Sequence, residues 1–326
     1  MKVLVTGSAG HLGEGLARIL KAQRYEVIGI DILASSYTTH VGSITDRDFV
    51  KSCLDGVETV FHTATLHKPH VATHSVQEFV DTNITGTLNL LQESVVAGVG
   101  AFIFTSTTSV FGDALEPKAG APAAWITEDV TPVPKNIYGV TKAAAEDLCQ
   151  LFFRNHGLPC IVLRTSRFFP EEDDNSKARN AFVDENLKAN EFLFRRVELE
   201  DAVNAHILAA KRAKDIGFGK YIISATTPFL RGHATYLRNN ALWVVQGLVP
   251  EYVEEYERRG WKMFQGIDRI YVNEKARKEL GWQPVYDFRY VIERLKAGEE
   301  LRSPLAKLVG VKGYHAETFE DGPYPT

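Results

Sequence analysis

Eight residues near the start of the chain, Thr6-Gly7-Ser8-Ala9-Gly10-His11-Leu12-Gly13, constrain the fold more than any other stretch. They follow an apolar run at Lys2–Thr6 and open an amphipathic one at 12–22. Glycines placed between a strand and a helix have a mechanical reading. Gly7 allows a tight turn, Gly10 lets the backbone approach a pyrophosphate, and Gly13 lets the helix pack closely on the strand. The helix N-terminus then turns free N–H groups and the positive end of its dipole toward the phosphates. Asp31 closes the next apolar run, where an acidic side chain reaches the ribose hydroxyls of adenosine. A carboxylate there repels a 2′-phosphate, so the expected cofactor is NAD rather than NADP.

The rest of the first half repeats the same rhythm. Strands are expected at 26–30, near Val41, at Thr59–His62, at 101–105 and at 160–163. Helices are expected from Asp46, over 76–98 and over Ile137–His156; the second carries Phe79, Val80, Ile84, Leu88, Leu91 and Val95 at helical spacing. Strands alternating with helices predict parallel pairing. After Arg164 the rhythm breaks. The acidic stretch 170–180 reads as a loop, 198–214 as a helix and 221–224 as a strand. Beyond it, helix signals at 241–246, 250–259, Glu274–Leu280 and 286–297 alternate with loops. The expected fold is α/β: a Rossmann doubly wound parallel sheet with a smaller, mostly C-terminal α/β substrate domain. Its cofactor-binding part spans 1–164 with 198–224 returning to it, and its substrate-binding part spans 165–197 and 225–326.

Tyr138 and Lys142 stand four apart at the start of a long helix, which puts both side chains on one face. A phenol with a pKa near 10 is a weak base at neutral pH, and an adjacent ammonium favours its ionised form. Upstream, Thr105-Ser106-Thr107-Thr108-Ser109 runs off the carboxyl end of a strand, where doubly wound sheets bind ligands.

Composition narrows the partners. A formal charge of −4 argues against a nucleic-acid partner, which requires a basic face. No apolar run approaches the roughly 18 to 20 residues that cross a bilayer. The three cysteines, Cys53, Cys149 and Cys160, form no CxxC pair and read as reduced thiols of a cytoplasmic protein. His67, His70 and His74 follow the fourth strand. They read as solvated loop residues, as substrate contacts or as a zinc site, although a zinc site needs carboxylate or cysteine support that is not evident here, and no metal is expected.

Taken together these residues resemble the extended, sugar-nucleotide-modifying branch of the short-chain dehydrogenase/reductase family, collinearly over nearly the whole chain. The likeness includes Gly42-Ser43-Ile44-Thr45-Asp46, Phe61-His62-Thr63-Ala64 and Asn83-Ile84-Thr85-Gly86-Thr87. It continues through Val110-Phe111-Gly112, Glu200-Asp201-Ala202-Val203 and Leu280-Gly281-Trp282-Gln283-Pro284. The resemblance implies an NAD-dependent epimerase or dehydrogenase acting on a carbinol of a sugar or sugar derivative. Thr107 would bond the reacting oxygen, Tyr138 would be the acid/base and Lys142 its activator. Cofactor contacts would come from Gly7, Gly10, His11, Leu12, Gly13, Asp31, Ser43, Ile44, Thr63, Ala64, Thr105, Tyr138 and Lys142. A homodimer through the 76–98 and Ile137–His156 helices is also implied.

Three positions depart from the family pattern. Ser43 replaces the usual aspartate at the adenine amino group. Thr107-Thr108-Ser109 lacks the Asp-Glu that eliminates water in sugar-nucleotide dehydratases. Arg167 replaces an asparagine that contacts the sugar nucleotide, and the run from Arg164 to Phe169-Pro170-Glu171 is similar to that of uronate dehydrogenases. The expected substrate is therefore a carbohydrate with an anionic group, held by Thr108, Arg167 and Arg195 or Arg196. Net dehydrogenation of a sugar acid or sugar phosphate is the alternative activity, and a non-catalytic NAD-binding regulator is the alternative of another class.

Overall fold

The apolar runs assemble into one parallel sheet in the computed structural model, which describes residues 1–313 and 319. Its strands are β1 (Lys2–Thr6), β2 (Glu26–Asp31), β3 (His40–Val41), β4 (Thr59–His62) and β5 (Ala101–Thr107), and, after the short β6 (Ala124–Ile126), β7 (Cys160–Thr165) and β8 (Phe218–Ile223). Their spatial order is β3-β2-β1-β4-β5-β7-β8, the doubly wound order, in which the chain changes direction between β1 and β4. A ligand crevice is expected outside the carboxyl ends of the strands at that reversal.

Both faces of the sheet are covered, which is why its strands are apolar throughout rather than alternating. Val3, Val5, Phe61, Ile103, Ile161 and Leu163 pack against the helices His11–Ala22 and Leu199–Ile216. Their neighbours Leu4, Val60, Phe102, Phe104 and Val162 point the other way, under the helices Arg47–Cys53, Gly86–Val96 and Ile137–His156. This is the period-two alternation of strand side chains.

A second apolar core lies apart from the sheet. Phe192, Leu193 and Phe194 meet the helices Ala234–Leu248, Tyr252–Arg259 and Phe288–Lys296 there. Strand β6 pairs in parallel with β9 (Arg269–Tyr271), joining an insertion after β5 to the C-terminal region. By packing, the division of the chain is finer than the split at 225 suggests. Ala276, Leu280, Trp282, Leu305 and Val309 belong to the core of the sheet, not to the second core. Trp282 donates its indole N–H to the Asp201 carbonyl at 3.0 Å, and the Asp201 carboxylate accepts from the backbone of Val285 and Tyr286.

Two local expectations are corrected. The stretch 170–180 contains the helix Ser176–Ala181, which Asn175 caps by accepting from the Lys177 and Ala178 N–H groups. The helix over 76–96 is not uniform: Val76–Phe79 and Gly86–Val96 are α-helical, but Val80–Thr85 between them is π-helical. A π segment widens the turn by one residue and is common at functional sites.

Candidate active site

The phosphate loop is shaped by close approach. Gly7 has φ +71°, and a Cβ there would lie 2.8 Å from the Ala64 nitrogen. A Cβ on Gly13 would lie 1.9 Å from the Gly7 carbonyl oxygen, so the helix can sit this near the strand only without a side chain. Gly10 occupies the N-cap position and supplies no side-chain cap, which suits a helix end that turns its N–H groups to phosphate oxygens. Leu12 is buried in the sheet core. Asp31 is fixed beside the loop, accepting from the N–H of Ala9 at 3.0 Å and of Leu33 at 2.9 Å. Ser43 and Thr45 share a hydroxyl hydrogen bond, while Ile44 is buried and its side chain lies against Gly86. These features fit a bound dinucleotide.

A buried line of hydrogen bonds runs from this loop to the helix that carries Tyr138. Thr6 Oγ1 accepts from the N–H groups of Thr63 and Ala64, both at 3.1 Å, so its own proton goes to His62 Nδ1 at 2.8 Å. Thr87 donates to the Asn83 carbonyl at 2.7 Å, so at 2.9 Å it accepts from His62 Nε2. Those directions assign a neutral His62 with its proton on Nε2, and burial holds its pKa well below the ordinary value. Asn83, at the π-helical segment, donates to Thr141 Oγ1 at 3.0 Å and to the Leu66 carbonyl, and accepts from the Leu66 N–H. Thr141 in turn bonds the carbonyls of Ile137 and Tyr138. The sequence gives the Asn83 segment only a family likeness; its joining role becomes visible through the π turn that points it inward.

Thr107, Tyr138 and Lys142 come together at the carboxyl end of β5. Asn136 caps their helix by accepting from the Gly139 N–H at 3.0 Å. The Tyr138 phenol, buried beside Thr107, is pushed up to about 12, burial being the larger influence and Thr107 opposing it. Thr107 Oγ1 also accepts from the Ser109 N–H, which fixes the hydroxyl. Lys142 is 3% exposed, and burial pulls its ammonium down to about 7 against the opposing charge of Glu146. Its Nζ lies 4.0 Å from the centroid of the Phe104 ring. Thr108 begins the next turn and is buried. Thr105 faces the other side of the sheet, where its hydroxyl meets His206 Nε2 at 2.8 Å.

Beneath this trio Glu146, one turn beyond Lys142, gathers Ser106 at 2.6 Å, Arg164 at 2.7 Å and Lys220 at 3.1 Å. This buried carboxylate was not among the sequence candidates.

Above the trio, His67 has its ring centroid 6.0 Å from that of Tyr138 and 5.9 Å from that of Phe169. Burial first, then the charges of His70 and Lys142, hold its imidazole at about 3, so it is neutral near pH 7. His70 and His74 continue outward with ring spacings of 6.1 and 5.1 Å. Among the described residues, no three His, Cys, Asp or Glu side chains converge as a metal-ligand set. His11, at the first turn of the phosphate-loop helix, meets Glu171 at 2.8 Å, and the Glu171 carboxylate also accepts from the N–H groups of Lys312 and Gly313.

The three arginines lie in an ionic cluster beyond Lys68, which pairs with Asp174. Arg167 is paired with Asp173 and Asp174, and Arg196 with Glu191 at 3.0 Å and with the Phe169 carbonyl. Arg195 pairs with Glu191 at 2.7 Å and approaches Asp173 at 3.6 Å.

Comparison with known proteins accords with this arrangement. The sequence profile of the NAD-dependent epimerase/dehydratase family matches residues 3–220. An uncharacterized UDP-glucose epimerase of Bacillus subtilis is 30% identical over 185 residues, covering 50% of this chain and 55% of that protein. The chain thus spans about half the length of that relative. An NAD-dependent glucose-6-phosphate dehydrogenase of Haloferax volcanii is 28% identical over 196 residues, 54% of this chain and 73% of that one. Among solved structures, a short-chain dehydrogenase/reductase superfamily protein of Agrobacterium tumefaciens with bound NAD superposes with a TM-score of 0.67 at 23% identity, covering 94% of this chain and 99% of that one, which shows a shared fold.

Proposed function

The chain belongs to the NAD-dependent epimerase/dehydratase family, and on that footing we propose that it oxidises a carbinol of a sugar derivative, with Tyr138 as the acid/base, Thr107 as the second partner of the reacting oxygen and Lys142 as their electrostatic support. One observation carries the reading: the Tyr138 phenol is buried beside the Thr107 hydroxyl, with the buried Lys142 one turn further along the same helix. A carbinol oxygen entering beside the two side chains accepts from the Thr107 hydroxyl and gives its proton to the Tyr138 oxygen in its phenolate form. Lys142, drawn down to about 7, holds or releases a proton near neutrality and favours the phenolate when charged. The bound NAD supplies the hydride acceptor. The Gly7–Gly13 loop holds its phosphates, with the first turn at His11 and Leu12 beside them. Asp31 holds its adenosine ribose, while Ser43, Ile44, Thr63 and Ala64 line the crevice.

Two outcomes share these groups. If the ketone turns over and takes the hydride back on its other face, the reaction is an epimerisation; if it leaves, the reaction is a net dehydrogenation. Epimerisation is the leading reading. The substrate carries an anionic group, as do those named for the two curated relatives, UDP-glucose and glucose 6-phosphate. The sheet with 1–164 and 198–224 carries the cofactor, and 165–197 with those described residues of 225–313 that pack outside the sheet core shape the substrate side; residues 314–326 of the expected part lie outside the described residues, Phe319 apart. The exposed Val76, Val96 and Val140 on the 76–96 and Ile137–His156 helices suit a homodimer interface.

The test is incubation with NAD and a panel of UDP-sugars, sugar phosphates and sugar acids, following reduced nicotinamide by absorbance and products by chromatography. Net reduction identifies a dehydrogenase, and product without net reduction an epimerase. Tyr138→Phe should lower turnover about 10²–10⁴-fold while leaving NAD affinity within a few-fold. Turnover close to the parent's would remove Tyr138 from the chemistry, and tight NAD binding with no turnover on any substrate would favour a regulator.

A further inference from the structure

The C-terminal part of the chain returns to the phosphate-loop helix and is fastened there. Ser303 caps the helix Pro304–Val309 by accepting from the Ala306 N–H at 3.0 Å, and its own N–H donates to Glu198 at 3.0 Å. Leu305, Ala306 and Val309 are buried in the core of the sheet, so this end of the segment is fixed. Past Gly310, which turns with φ +71°, the chain lies along the helix His11–Ala22. Arg18 of that helix donates to the Leu308 carbonyl at 3.4 Å, and Lys312 pairs with the buried Glu14.

Glu171 completes the fastening from the other side. Its Oε1 accepts from the N–H groups of Lys312 at 3.1 Å and Gly313 at 3.0 Å, and lies 2.8 Å from His11 Nε2. Its side chain is 7% exposed. Burial raises the carboxyl, but His11 and then the Gly313 N–H outweigh it and hold the group below its ordinary value, so it is charged at neutral pH. The other oxygen, Oε2, is buried with no hydrogen-bond partner among the described residues. Hydrogen bonds to an ionised oxygen are strong, whereas a buried acceptor left unmet is costly. Turned into water, the same carboxylate would satisfy both oxygens. The fastening is thus built to open as well as to hold.

Two residues before Glu171, the Phe169 ring has its centroid 5.9 Å from that of His11 and 5.9 Å from that of His67, and the His67 ring is 6.0 Å from that of Tyr138. This bridge of rings runs from the first turn of the phosphate-loop helix to the proposed acid/base side chain. Those are the two places a dinucleotide has to join, its pyrophosphate at the helix end and its nicotinamide at the reacting centre. We propose that Glu171 is the latch of a C-terminal strap that gates the entry and exit of NAD. The latch acts on the rate at which the crevice opens, as an active-site lid does, and requires no contact of its own with the dinucleotide. The proposal rests on the placement of NAD in the function proposed above.

The test uses the full chain and NADH as the fluorescent probe. Stopped-flow mixing follows NADH entry, displacement by excess ADP-ribose follows its release, and an equilibrium titration gives its affinity. Glu171→Gln should speed entry and release together by about tenfold or more, with affinity kept within a few-fold. Lys312→Ala, which removes the pair with Glu14 and keeps the backbone donors, should move both rates the same way by less. A gate changes the two rates in parallel. A side chain that merely touches NADH, or whose loss loosens the fold, changes release and affinity and leaves entry alone. Unchanged rates in Glu171→Gln, or faster release with entry unchanged, would overturn the proposal. Tighter binding with slower release would also overturn it, because the carboxylate would then be a rival of the cofactor phosphates. A parent that binds no NADH removes the placement of NAD and the latch together, whereas a parent that binds it with rates insensitive to both substitutions removes the latch alone.

Discussion

Replacing Glu146 with Gln removes one charge from the most heavily bonded buried carboxylate beneath the active site. Its side chain is 1% exposed and that of its partner Arg164 2%. Arg164 donates to it three times, at 2.7, 3.0 and 3.2 Å, and among the described residues retains otherwise only the Glu128 carbonyl at 3.3 Å and the face of Phe111. Without the carboxylate charge, a buried guanidinium is left uncompensated, which costs about 3–5 kcal/mol. That is a large part of a total stability of roughly 5–15 kcal/mol. Equilibrium unfolding in urea measures the loss. Removing both charges with Glu146→Leu and Arg164→Met should cost less than Glu146→Gln alone, since no buried guanidinium is then left uncompensated and only the Ser106 hydroxyl and the partly exposed Lys220 lose a partner. The pH dependence has a definite sign. Burial raises the Glu146 pKa, but Arg164 and Lys220 together outweigh it and hold the group below its usual 4.5, so its contribution is fully present above that value and is lost as pH falls below it. The gap between parent and variant should therefore be level from pH 7 to about 5 and shrink in more acid solution. Glu146 also supports the charge of Lys142, so the variant should shift the Lys142 limb of the rate profile to lower pH. A cost under about 1 kcal/mol, or a gap unchanged at pH 4, would refute the reasoning.

Two further outcomes follow from the cofactor loop. NAD should bind more tightly than NADP because the Asp31 carboxylate, fixed by two backbone N–H groups, faces the place of a 2′-phosphate; Asp31→Ala should narrow the difference in a fluorescence titration, and equal affinities in the parent would contradict it. Gly13→Ala puts a methyl group 1.9 Å from the Gly7 oxygen, so it should abolish NAD binding in the same titration, and a parent-like affinity would show that the loop relaxes without cost.

The sheet was legible because it rests on local signals. Apolar runs, glycines at a turn and a long helix with good formers are properties of neighbouring residues, and β1, β4 and the helix Ile137–His156 fall where those signals put them. What was not legible depends on contacts across long separations. Strands β6 and β9 are three residues each and lie about 140 residues apart in sequence, so neither carries a pattern until the other is beside it. The helix Ser176–Ala181 was hidden by polar composition, its cap being a better guide than its periodicity. At the site, Tyr138 and Lys142 announce themselves by spacing and chemistry, and Thr107 by the family resemblance. Glu146 does not, because it reads as one more helix-former until Arg164 is brought against it. Arg167 illustrates the converse: its acidic partners lie six and seven residues on, within the same polar stretch, yet only the folded loop turns them back to it.

The hydrogen-bond line from Thr6 to Tyr138 has a single sense: each hydroxyl or ring passes its proton onward, and no member can be reversed without setting two lone pairs or two protons face to face. Such a line acts as a strut. It measures the helix that carries Tyr138 from the phosphate loop through the interior, independently of the segments beyond Arg164. Those outer segments are therefore free to change in length and charge over generations without altering the distance between the phosphate loop and Tyr138. A lineage built this way can exchange what it recognises while keeping what it does, and the arginines and histidines on the outer side of this chain are where such exchange would be written.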